Sequence, residues 1–451
     1  MYLRRKIDKK LDEWLLNKNK TPILIVGIRQ CGKTESVKEF AKRNNLALVE
    51  VNFMLHPEYC DDFNGDLSVE TIISNLSLRF PNINFNPNKI LLFFDEIQDC
   101  PRARLSFKSF KIDGRYNVLG SGSYLGINGY IHGDTTPAPT GYDDFIQMMN
   151  MDFEEFLWAL GYKEEQINLL VDSFIERKLL DNSVYNLYKN LYLKYACIGG
   201  FPKAVITYVE TKNIMSSYKI VENIVLDMKS DFGRRKGKNG EPIFKASEVS
   251  RIQNVFENIP LFLAKENKRY IVSKIKSGNS IEKNDAIEYL RQAHIVYKVF
   301  NLETPSLPFT INKIDSQFKL FPADIGITNV LFGLDSVIAM NQGNLGQAKG
   351  AIYESLVFDS LIKSNIVPYY FAKSSGLEID FVISYKSYST LIEAKAKTGN
   401  TKSSKTVMMH PEHYGKTKLI KVGDYNISEN GDIITIPHFM VFVLGKTNLI
   451  F

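Results

Sequence analysis

The chain has 451 residues, of which 44% are hydrophobic and 24% charged, and its formal net charge is +6. This length is enough for about two to four domains whose cores need no disulfides. Four scattered cysteines without a C-x-x-C pair argue against a zinc site and a disulfide framework, and no apolar run is long enough to span a bilayer. We therefore expect a cytoplasmic protein with no membrane partner, and the mild charge permits a nucleic-acid partner without demanding one.

Two elements are predicted at the start of the chain. Residues 1–20 carry apolar side chains at helical spacing and should form an amphipathic helix that packs on the following domain. A short apolar strand, Ile23–Val26, comes next. It leads into a loop bounded by Gly27 and Gly32, after which a polar helix is expected.

This loop matches the phosphate-binding pattern G-x-x-x-x-G-K-[ST]. Its glycines let backbone N–H groups approach phosphate oxygens, and the dipole of the helix that begins there favours anions. Lys33 can reach the β- and γ-phosphates of ATP, and the Thr34 hydroxyl can hold Mg²⁺. An ordinary turn with a capping lysine is the alternative. The residues expected to bind the nucleotide are Gly27, Arg29, Gln30, Cys31, Gly32, Lys33, Thr34 and Glu35.

An apolar stretch with two acidic residues at its end follows at 89–96. Such a continuous run is typical of a strand that is covered on both faces of a parallel sheet. Carboxylates at the carboxyl end of that strand lie in the crevice where open α/β sheets bind ligands. The pattern is that of a Walker B motif, in which Asp95 binds Mg²⁺ and Glu96 polarises the attacking water. The alternative is a plain acidic loop start.

A further strand, 116–124, ends in small polar residues, and here the chain resembles the prokaryotic AAA-type ATPases that carry G-x-R-Q-x-G-K-T. The resemblance rests on that motif at 27–34, on Phe94-Asp-Glu-Ile-Gln98 and on Ser121-Gly-Ser123. It implies an ATPase that uses ATP and Mg²⁺, in which Ser121, or alternatively Ser123, contacts the γ-phosphate or the water. The expected catalytic residues are Glu96, Lys33 and Ser121.

Relatives of this kind often carry an arginine soon after that strand, which acts as a finger toward the γ-phosphate. Here no arginine occurs between Tyr124 and Phe156. Nothing in the sequence ties the earlier Arg102, Arg104 or Arg115 to this role. Because an arginine finger changes the rate by ~10³–10⁵-fold, the sequence does not imply efficient hydrolysis.

The middle of the chain is predicted to be mostly helical. An amphipathic pattern over 162–228 is interrupted by Gly199-Gly-Phe-Pro202, which resembles a turn of the same family, and a basic, glycine-rich loop is expected at 233–240. Residues 247–302 predict three helical pieces and a strand, which is the order of a winged helix-turn-helix.

A DNA contact and a packing role are both open for this winged-helix segment. Lys283, Asn284 and Arg291 would lie on or near its recognition helix and contact DNA. Acidic residues on or beside the same helix would repel phosphate, which favours a module that packs between domains.

The last part of the chain carries a second candidate site. Glu354 lies on a predicted helix, Asp380 on a strand, and Glu393 and Lys395 on one face of the next strand. This order resembles the PD-(D/E)XK nuclease core. The resemblance implies that the three carboxylates gather Mg²⁺ and that Lys395 positions the attacking water, although such domains are often inactive binding folds. An edge hairpin with a salt-bridged outer face is the alternative.

Seven lysines crowd this region and the residues after it. They fit a phosphate-bearing partner, and a solvated basic face is the alternative. They are Lys395, Lys397, Lys402, Lys405, Lys416, Lys418 and Lys421.

The predicted fold class is α/β: a P-loop NTPase parallel sheet with helices, then helical and winged-helix segments, then a small α/β restriction-endonuclease-like domain. The predicted ranges are 1–160 for the AAA-type ATPase domain, 161–240 for the helical extension, 241–335 for the winged helix and 345–451 for the nuclease-like domain. In one reading, ATP hydrolysis is coupled to DNA binding or processing. In the other, the protein is a nucleotide-dependent switch whose inactive nuclease-like domain recruits a protein or nucleic-acid partner. The oligomeric state is left open.

Overall fold

The computed structural model describes residues 1–123, 141–234, 244–265, 270, 280–343, 348–396 and 401–448. Two compact units share the chain. The first consists of Met1–Asn150, Asp231–Lys245 and Gln292–His294, and the second of Met151–Ser230, Ala246–Arg291 and Ile295–Phe451. In the described residues of either unit, no helix is long and apolar enough to cross a bilayer.

The first unit is built on a parallel sheet. Its strands are β1 Ile23–Val26, β2 Ala47–Asn52, β3 Ile90–Asp95, β4 Asn117–Gly122 and β5 Asp144–Gln147. They lie in the order β2–β3–β4–β1–β5, and all neighbours run parallel. The inner strands β1, β3 and β4 are buried along their whole length, as their apolar runs predict. The predicted α/β class and its parallel P-loop sheet are confirmed.

Helices flank this sheet, and aromatic side chains fill the space between them. The helices are α1 Lys6–Leu16, α2 Lys33–Arg43, α3 Val69–Arg79, α4 Pro101–Leu105 and α5 Phe107–Asp113. Short 3₁₀ turns lie at Pro57–Phe63, Pro87–Lys89 and Ile97–Asp99. Helix α1 is shorter than the predicted 1–20 helix but packs on the domain as predicted, with the ring of Trp14 6.2 Å from that of Phe40 in α2.

The strand register brings polar residues to one edge of the sheet. Asn52 at the end of β2 pairs with Asp95 at the end of β3, and Ile25 in β1 pairs with Ser121 in β4. Because parallel strands share the same carboxyl edge, these polar side chains lie beside the loop that follows β1.

The second unit contains a mixed sheet of eight strands. Its strands are β6 Val296–Leu302, β7 Lys313–Pro322, β8 Tyr369–Ala372, β9 Glu378–Tyr385, β10 Tyr388–Ala394, β11 Thr417–Gly423, β12 Ser428–Asn430 and β13 Ile433–Pro437. They lie in the order β12–β13–β11–β10–β9–β8–β6–β7. The β9–β10 pair is the antiparallel hairpin predicted for the last part of the chain, while β10, β11 and β13 run parallel.

Many helices accompany the second sheet. In chain order they are α6 Phe153–Ala159, α7 Glu164–Glu176, α8 Asn182–Ile198, α9 Pro202–Thr211, α10 Ile214–Arg234, α11 Ala246–Glu257, α12 Ile259–Leu263, α13 Ser280–Gln292, α14 Phe309–Asn312, α15 Ile325–Phe332, α16 Leu334–Asn341, α17 Lys349–Lys363, α18 Lys402–Met409, α19 Pro411–Tyr414 and α20 Val443–Thr447. A 3₁₀ turn lies at His438–Met440. The predicted basic loop at 233–240 lies almost entirely outside the described residues, and Gly233 and Arg234 end α10.

The predicted winged-helix segment joins the larger sheet. Helices α11, α12 and α13 precede the antiparallel pair β6–β7, and β6 pairs with β8 through Asn301 and Tyr370. The sheet therefore runs across the boundary predicted between 335 and 345. The four predicted domain ranges stay a prediction.

A buried ion-pair cluster ties distant segments of the second unit together. The backbone N–H of Gly200 donates to both oxygens of Asp324, at 3.2 and 3.1 Å. Lys363 contacts Asp324 at 2.7 Å and Asp359 at 2.8 Å, and Tyr195 donates to Asp359 at 2.6 Å. Burial raises the pKa of Asp359 to about 6, although Lys363 opposes the shift. The cluster explains the Gly199–Pro202 interruption, because this turn must approach Asp324.

We expect Gly200→Ala to destabilise the second unit, because an added Cβ would lie 2.1 Å from the Met151 carbonyl oxygen. Overpacking of this kind should lower the free energy of unfolding by about 1–3 kcal/mol. The control is Gly350→Ala, where an added Cβ in α17 meets no atom within 4 Å and should raise stability by about 0.5–1 kcal/mol. Urea unfolding of both variants measures the difference, and equal midpoints would contradict the assigned packing.

Candidate functional site

The loop between β1 and α2 has the backbone shape that its glycines predict. Gly32 adopts a φ of +99° and caps α2, and the exposed Gln30 is also left-handed, with a φ of +64°. At Gly27 an added Cβ would lie only 2.3 Å from the Met148 carbonyl oxygen. Both glycines are therefore required, one for its conformation and one for the close approach of another backbone.

Lys33 closes over this loop. Its ammonium donates to the carbonyl oxygens of Gly27 at 3.1 Å and Ile28 at 3.2 Å, and the residue is 7% exposed. Lys33 is also the first residue of α2, so its charge and the positive end of the helix dipole lie on the same loop. This arrangement favours an anion with several oxygens.

The predicted metal ligands Thr34 and Asp95 meet at the carboxyl edge of the sheet. The Thr34 hydroxyl donates to Asp95 Oδ2 at 3.1 Å, and Ser121 hydrogen-bonds the other oxygen, Oδ1. Asn52 also donates to Oδ2, at 3.0 Å. Asn52 was not among the predicted site residues, and its only signal was its place at the end of the strand beside β3.

Glu96 follows Asp95 in a left-handed conformation, with a φ of +51°. Gln98 holds it, since the Gln98 amide donates to Glu96 Oε2 at 2.5 Å and its oxygen accepts the backbone N–H of Ser123 at 3.3 Å. Because Glu96 is left-handed, the two neighbouring carboxylates have different partners. Asp95 belongs to the hydrogen-bonded cluster, and Gln98 orients Glu96. Both were predicted to act at one site, and the structure places them side by side with different partners.

The other predicted loop residues have mixed surroundings. Arg29 forms an ion pair with Asp231 of the same unit. Cys31 is fully buried, whereas Glu35, in the first turn of α2, is exposed. The predicted contacts of Arg29, Cys31 and Glu35 with the nucleotide therefore stay predictions.

The three arginines considered as possible fingers each have other partners in the first unit. Arg102 donates to the carbonyl oxygens of Phe63 at 2.6 Å and Gly65 at 2.7 Å. Arg104 pairs with Asp143 at 3.1 Å, and Arg115 pairs with Asp113 and Glu70. Their contacts assign none of the three to the role of an arginine finger.

Arg5, which the sequence did not single out, holds the phosphate-binding loop in place. Its guanidinium donates to the carbonyl oxygen of Cys31 and to that of Met149, each at 2.7 Å, and the residue is 5% exposed. The backbone of Arg5 is itself fixed, because its N–H donates to Asp8 at 2.9 Å. One planar cation thus joins the loop to the segment after β5, and a lysine could not span both carbonyls in this way.

In the second unit, Asp380, Glu393 and Lys395 lie in direct contact, and the fourth predicted nuclease-like residue, Glu354, is close enough to help raise the pKa of Lys395. Lys395 lies 2.7 Å from Glu393 and 3.9 Å from Asp380. Asp380 also accepts the backbone N–H of Ala394 at 2.9 Å, and Glu393 accepts a hydrogen bond from Ser404. Burial alone would lower the pKa of Lys395, but Asp380 and Glu393 outweigh burial and raise it, so the lysine stays charged.

Glu354, the fourth of these residues, pairs with a buried lysine that the sequence did not single out. Lys319 in β7 lies 2.8 Å from Glu354 and 3.2 Å from Glu378, and its side chain is 1% exposed. Burial would lower its pKa, but the carboxylates outweigh burial and raise it. Among the described residues, no group of three or more His, Cys, Asp and Glu side chains is arranged to hold a metal ion. The shared Mg²⁺ role of Glu354, Asp380 and Glu393 therefore remains a prediction.

The predicted recognition helix corresponds to α13. Lys283 is buried on it, with 5% exposure, whereas Asn284 is exposed. Arg291 pairs with Glu288 at 2.6 Å. The charges predicted to contact DNA are thus partly buried or already neutralised.

Three stretches of the chain match models of known protein families. Residues 19–157 match the family described as AAA domain. Residues 189–337 match a domain of unknown function, DUF8612, and residues 349–439 match another, DUF4143. The part of the chain that carries the phosphate-binding loop and the acidic strand is therefore similar to AAA domains, which supports a P-loop ATPase.

The chain is also similar to individual proteins. The uncharacterized protein MJ1637 of Methanocaldococcus jannaschii is 21% identical over an alignment of 458 positions, which covers 96% of this chain and 86% of that protein. The Walker-type ATPase PABY2304 of Pyrococcus abyssi aligns with a TM-score of 0.44 and 14% identity, covering 73% of this chain and 96% of its own. The tetratricopeptide-repeat signal transduction ATPase PH0952 of Pyrococcus horikoshii aligns with a TM-score of 0.25 and 12% identity, covering 80% of this chain and 45% of its own.

We expect Arg5→Ala to weaken ATP binding about tenfold, because the loop loses the charged donor on its Cys31 carbonyl. Arg5→Lys should lose nearly as much, since a single ammonium cannot bridge two carbonyls. Equilibrium titration with a fluorescent ATP analogue measures both. The control is Lys9→Ala in α1, whose side chain is 84% exposed. An unchanged affinity in Arg5→Ala would show that the loop keeps its shape without this contact.

Proposed function

We propose that the first unit binds ATP together with Mg²⁺ and hydrolyses the γ-phosphate bond. The observation that carries this proposal is the meeting of Thr34, Ser121 and Asp95 at the carboxyl edge of the parallel sheet, directly beside Lys33. The match of residues 19–157 to AAA domains supports the same reaction class.

The phosphate groups would be bound by the loop and the helix that follows it. The backbone N–H groups at the start of α2 and the ammonium of Lys33 supply positive charge toward the β- and γ-phosphates. In this arrangement the two carbonyl contacts of Lys33 give way to phosphate oxygens. Arg5 keeps the loop backbone in position while Lys33 moves.

Thr34 and Asp95 would hold Mg²⁺. One hydroxyl and one carboxylate fit this ion, which keeps several waters and takes its other ligands from the phosphates. When bound, Mg²⁺ neutralises charge on the phosphates. Asn52 and Ser121 hold the Asp95 carboxylate in a fixed orientation.

Glu96 would accept the proton of the attacking water. Its carboxylate is the next acidic group after Asp95, and Gln98 orients it through a contact of 2.5 Å. Ser121, or alternatively Ser123, would contact the γ-phosphate or that water. Because Arg102, Arg104 and Arg115 are engaged elsewhere, we expect slow basal turnover unless another arginine reaches the γ-phosphate.

We expect Glu96→Gln to lower kcat by ~10²–10⁴ while ATP binding is retained, because the amide cannot accept the proton of the water. Lys33→Ala should lose both binding and turnover. Phosphate release and ATP titration separate the two effects. The control is Glu13→Gln in α1, whose side chain is 64% exposed. If Glu96→Gln hydrolyses ATP at the wild-type rate, Glu96 is not the base.

A second candidate function concerns the C-terminal part of the chain. The DNA-processing hypothesis requires carboxylates that are free to gather Mg²⁺, yet Lys319 already pairs with Glu354 at 2.8 Å and Glu378 at 3.2 Å. Lys395 pairs with Glu393 at 2.7 Å. This pairing favours the alternative, in which ATP controls a domain that binds a protein or nucleic-acid partner without cutting it. The lysine-rich segment would then supply charge toward phosphate.

We expect the wild-type protein to show no Mg²⁺-dependent cleavage of single- or double-stranded DNA, and its ATPase rate to change little when DNA is added. Gel analysis of labelled DNA and phosphate release measure these two outcomes. Cleavage that disappears in Asp380→Ala and in Lys395→Ala would instead establish a nuclease. Strong stimulation of ATP hydrolysis by DNA, lost in Lys33→Ala, would favour coupling to DNA.

A further inference from the structure

Arg29 is a cationic side chain on the phosphate-binding loop itself. The backbone N–H of Cys31 donates to the carbonyl oxygen of Ile28 at 3.4 Å, and Gln30 between them is left-handed. Residues 28–31 therefore form a tight turn with Arg29 at its second position. Whereas Cys31 is fully buried, the side chain of Arg29 is 37% exposed. Its guanidinium is therefore accessible to a ligand at the surface of the loop.

The loop attaches this cation close to the expected position of the terminal phosphates. Lys33, which would bind the β- and γ-phosphates, contacts the carbonyl oxygens of Gly27 and Ile28 at 3.1 and 3.2 Å. These are the two residues directly before Arg29, so both cations lie on the same short segment of backbone. The planar guanidinium presents paired donors that match phosphate oxygens, which an ammonium does not.

The three arginines considered as possible fingers are placed less favourably. Arg102 donates to two backbone carbonyl oxygens, and Arg104 pairs with an aspartate whose side chain is 4% exposed. Arg115 is more exposed, but it lies just before β4. It is therefore at the amino edge of the sheet, whereas open α/β sheets bind their ligands at the carboxyl edge. Arg29 is the one of these four arginines that the phosphate-binding loop carries.

Asp231 is the residue that holds Arg29 in this structure. It lies in the last turn of α10, its side chain is 23% exposed, and it belongs to the first unit together with Arg29. Partly exposed ion pairs contribute little to stability, because water screens the two charges. A triphosphate that carries several negative charges can therefore displace the single carboxylate from the guanidinium.

We propose that Arg29 is a catalytic residue, which leaves Asp231 when ATP binds and contacts the γ-phosphoryl oxygens in the transition state. This inference rests on the proposed ATP hydrolysis. The water oxygen forms the new bond to phosphorus, the bond from phosphorus to the β–γ bridging oxygen breaks, and ADP leaves with that electron pair. Glu96 accepts the proton of the water, while Arg29 stays protonated and stabilises the charge on the equatorial oxygens. Asp231 competes for the same cation and slows turnover.

The first test is phosphate release at saturating ATP and Mg²⁺. Arg29→Ala should lower kcat by at least ~10²-fold, because an arginine at the γ-phosphate contributes ~10³–10⁵-fold when fully engaged. Arg29→Lys keeps the charge but not the paired donors, so its kcat should lie between those of wild type and Arg29→Ala. Asp231→Asn should raise kcat about two- to fivefold, since it removes the competing carboxylate. The double variant should be as slow as Arg29→Ala, because Asp231 acts only through Arg29.

A second measurement separates catalysis from a structural role. We expect Arg29→Ala to bind ADP within about twofold of wild type, but to bind ADP with aluminium fluoride at least ~10-fold more weakly. Aluminium fluoride mimics the planar phosphoryl group during transfer. The matched control is the Lys38–Glu50 ion pair of the same unit, whose side chains are 41% and 30% exposed. Lys38→Ala and Glu50→Gln should leave kcat and both affinities unchanged.

The outcomes distinguish this proposal from the proposed hydrolysis itself. Unchanged kcat in Arg29→Ala, or an equal loss of affinity for ADP with and without aluminium fluoride, overturns the catalytic role while hydrolysis by the wild-type protein still stands. An Asp231→Asn variant that is no faster than wild type overturns the competing role of Asp231. A wild-type protein that binds ATP but releases no phosphate refutes the proposed hydrolysis, and the role of Arg29 with it.

Discussion

The first unit depends on the carboxylate of Asp95, which joins three strand ends. Its oxygens accept hydrogen bonds from Thr34 after β1, Asn52 at the end of β2 and Ser121 in β4. A buried carboxylate without such donors would be strongly unfavourable, so the four residues stabilise one another. The distance between the phosphate-binding loop and the acidic strand end is thereby fixed by the fold before any ligand arrives, which is the condition that electrostatic catalysis requires.

Site residues that lie close together along the chain could be predicted from the sequence, whereas those that meet only in the fold could not. The phosphate-binding loop and the two acids lie within short stretches whose spacing is itself the signal, and their strands were predicted to within one or two residues. Asn52 and Arg5 were missed because no local pattern marks them. Asn52 matters through its register with Asp95, and Arg5 through a partner 144 residues away. Strand register and long-range contacts arise only when the sheet is assembled.

The second unit shows the same limit in a different way. Asp380, Glu393 and Lys395 could be placed together because alternation along a hairpin is a local property. Glu354 was grouped with them, and its direct partner is Lys319, which the sequence did not single out although it lies between two apolar residues of β7. Burial makes the two groups mutually dependent, since neither charge is tolerated in a core without the other. The Asp324 cluster follows the same rule, with Lys363 between two buried acids.

The contact between Arg5 and Met149 has a consequence for how the protein matures during synthesis. Arg5 leaves the ribosome 144 residues before the Met149 carbonyl that accepts its hydrogen bond, and β5 beside that acceptor pairs with β1. Chains grow at about 5–20 residues per second, so for several seconds the nascent glycine loop lacks both its edge strand and its arginine brace. The nascent chain should therefore become able to bind nucleotide late and in a single step, when the segment after β5 has emerged.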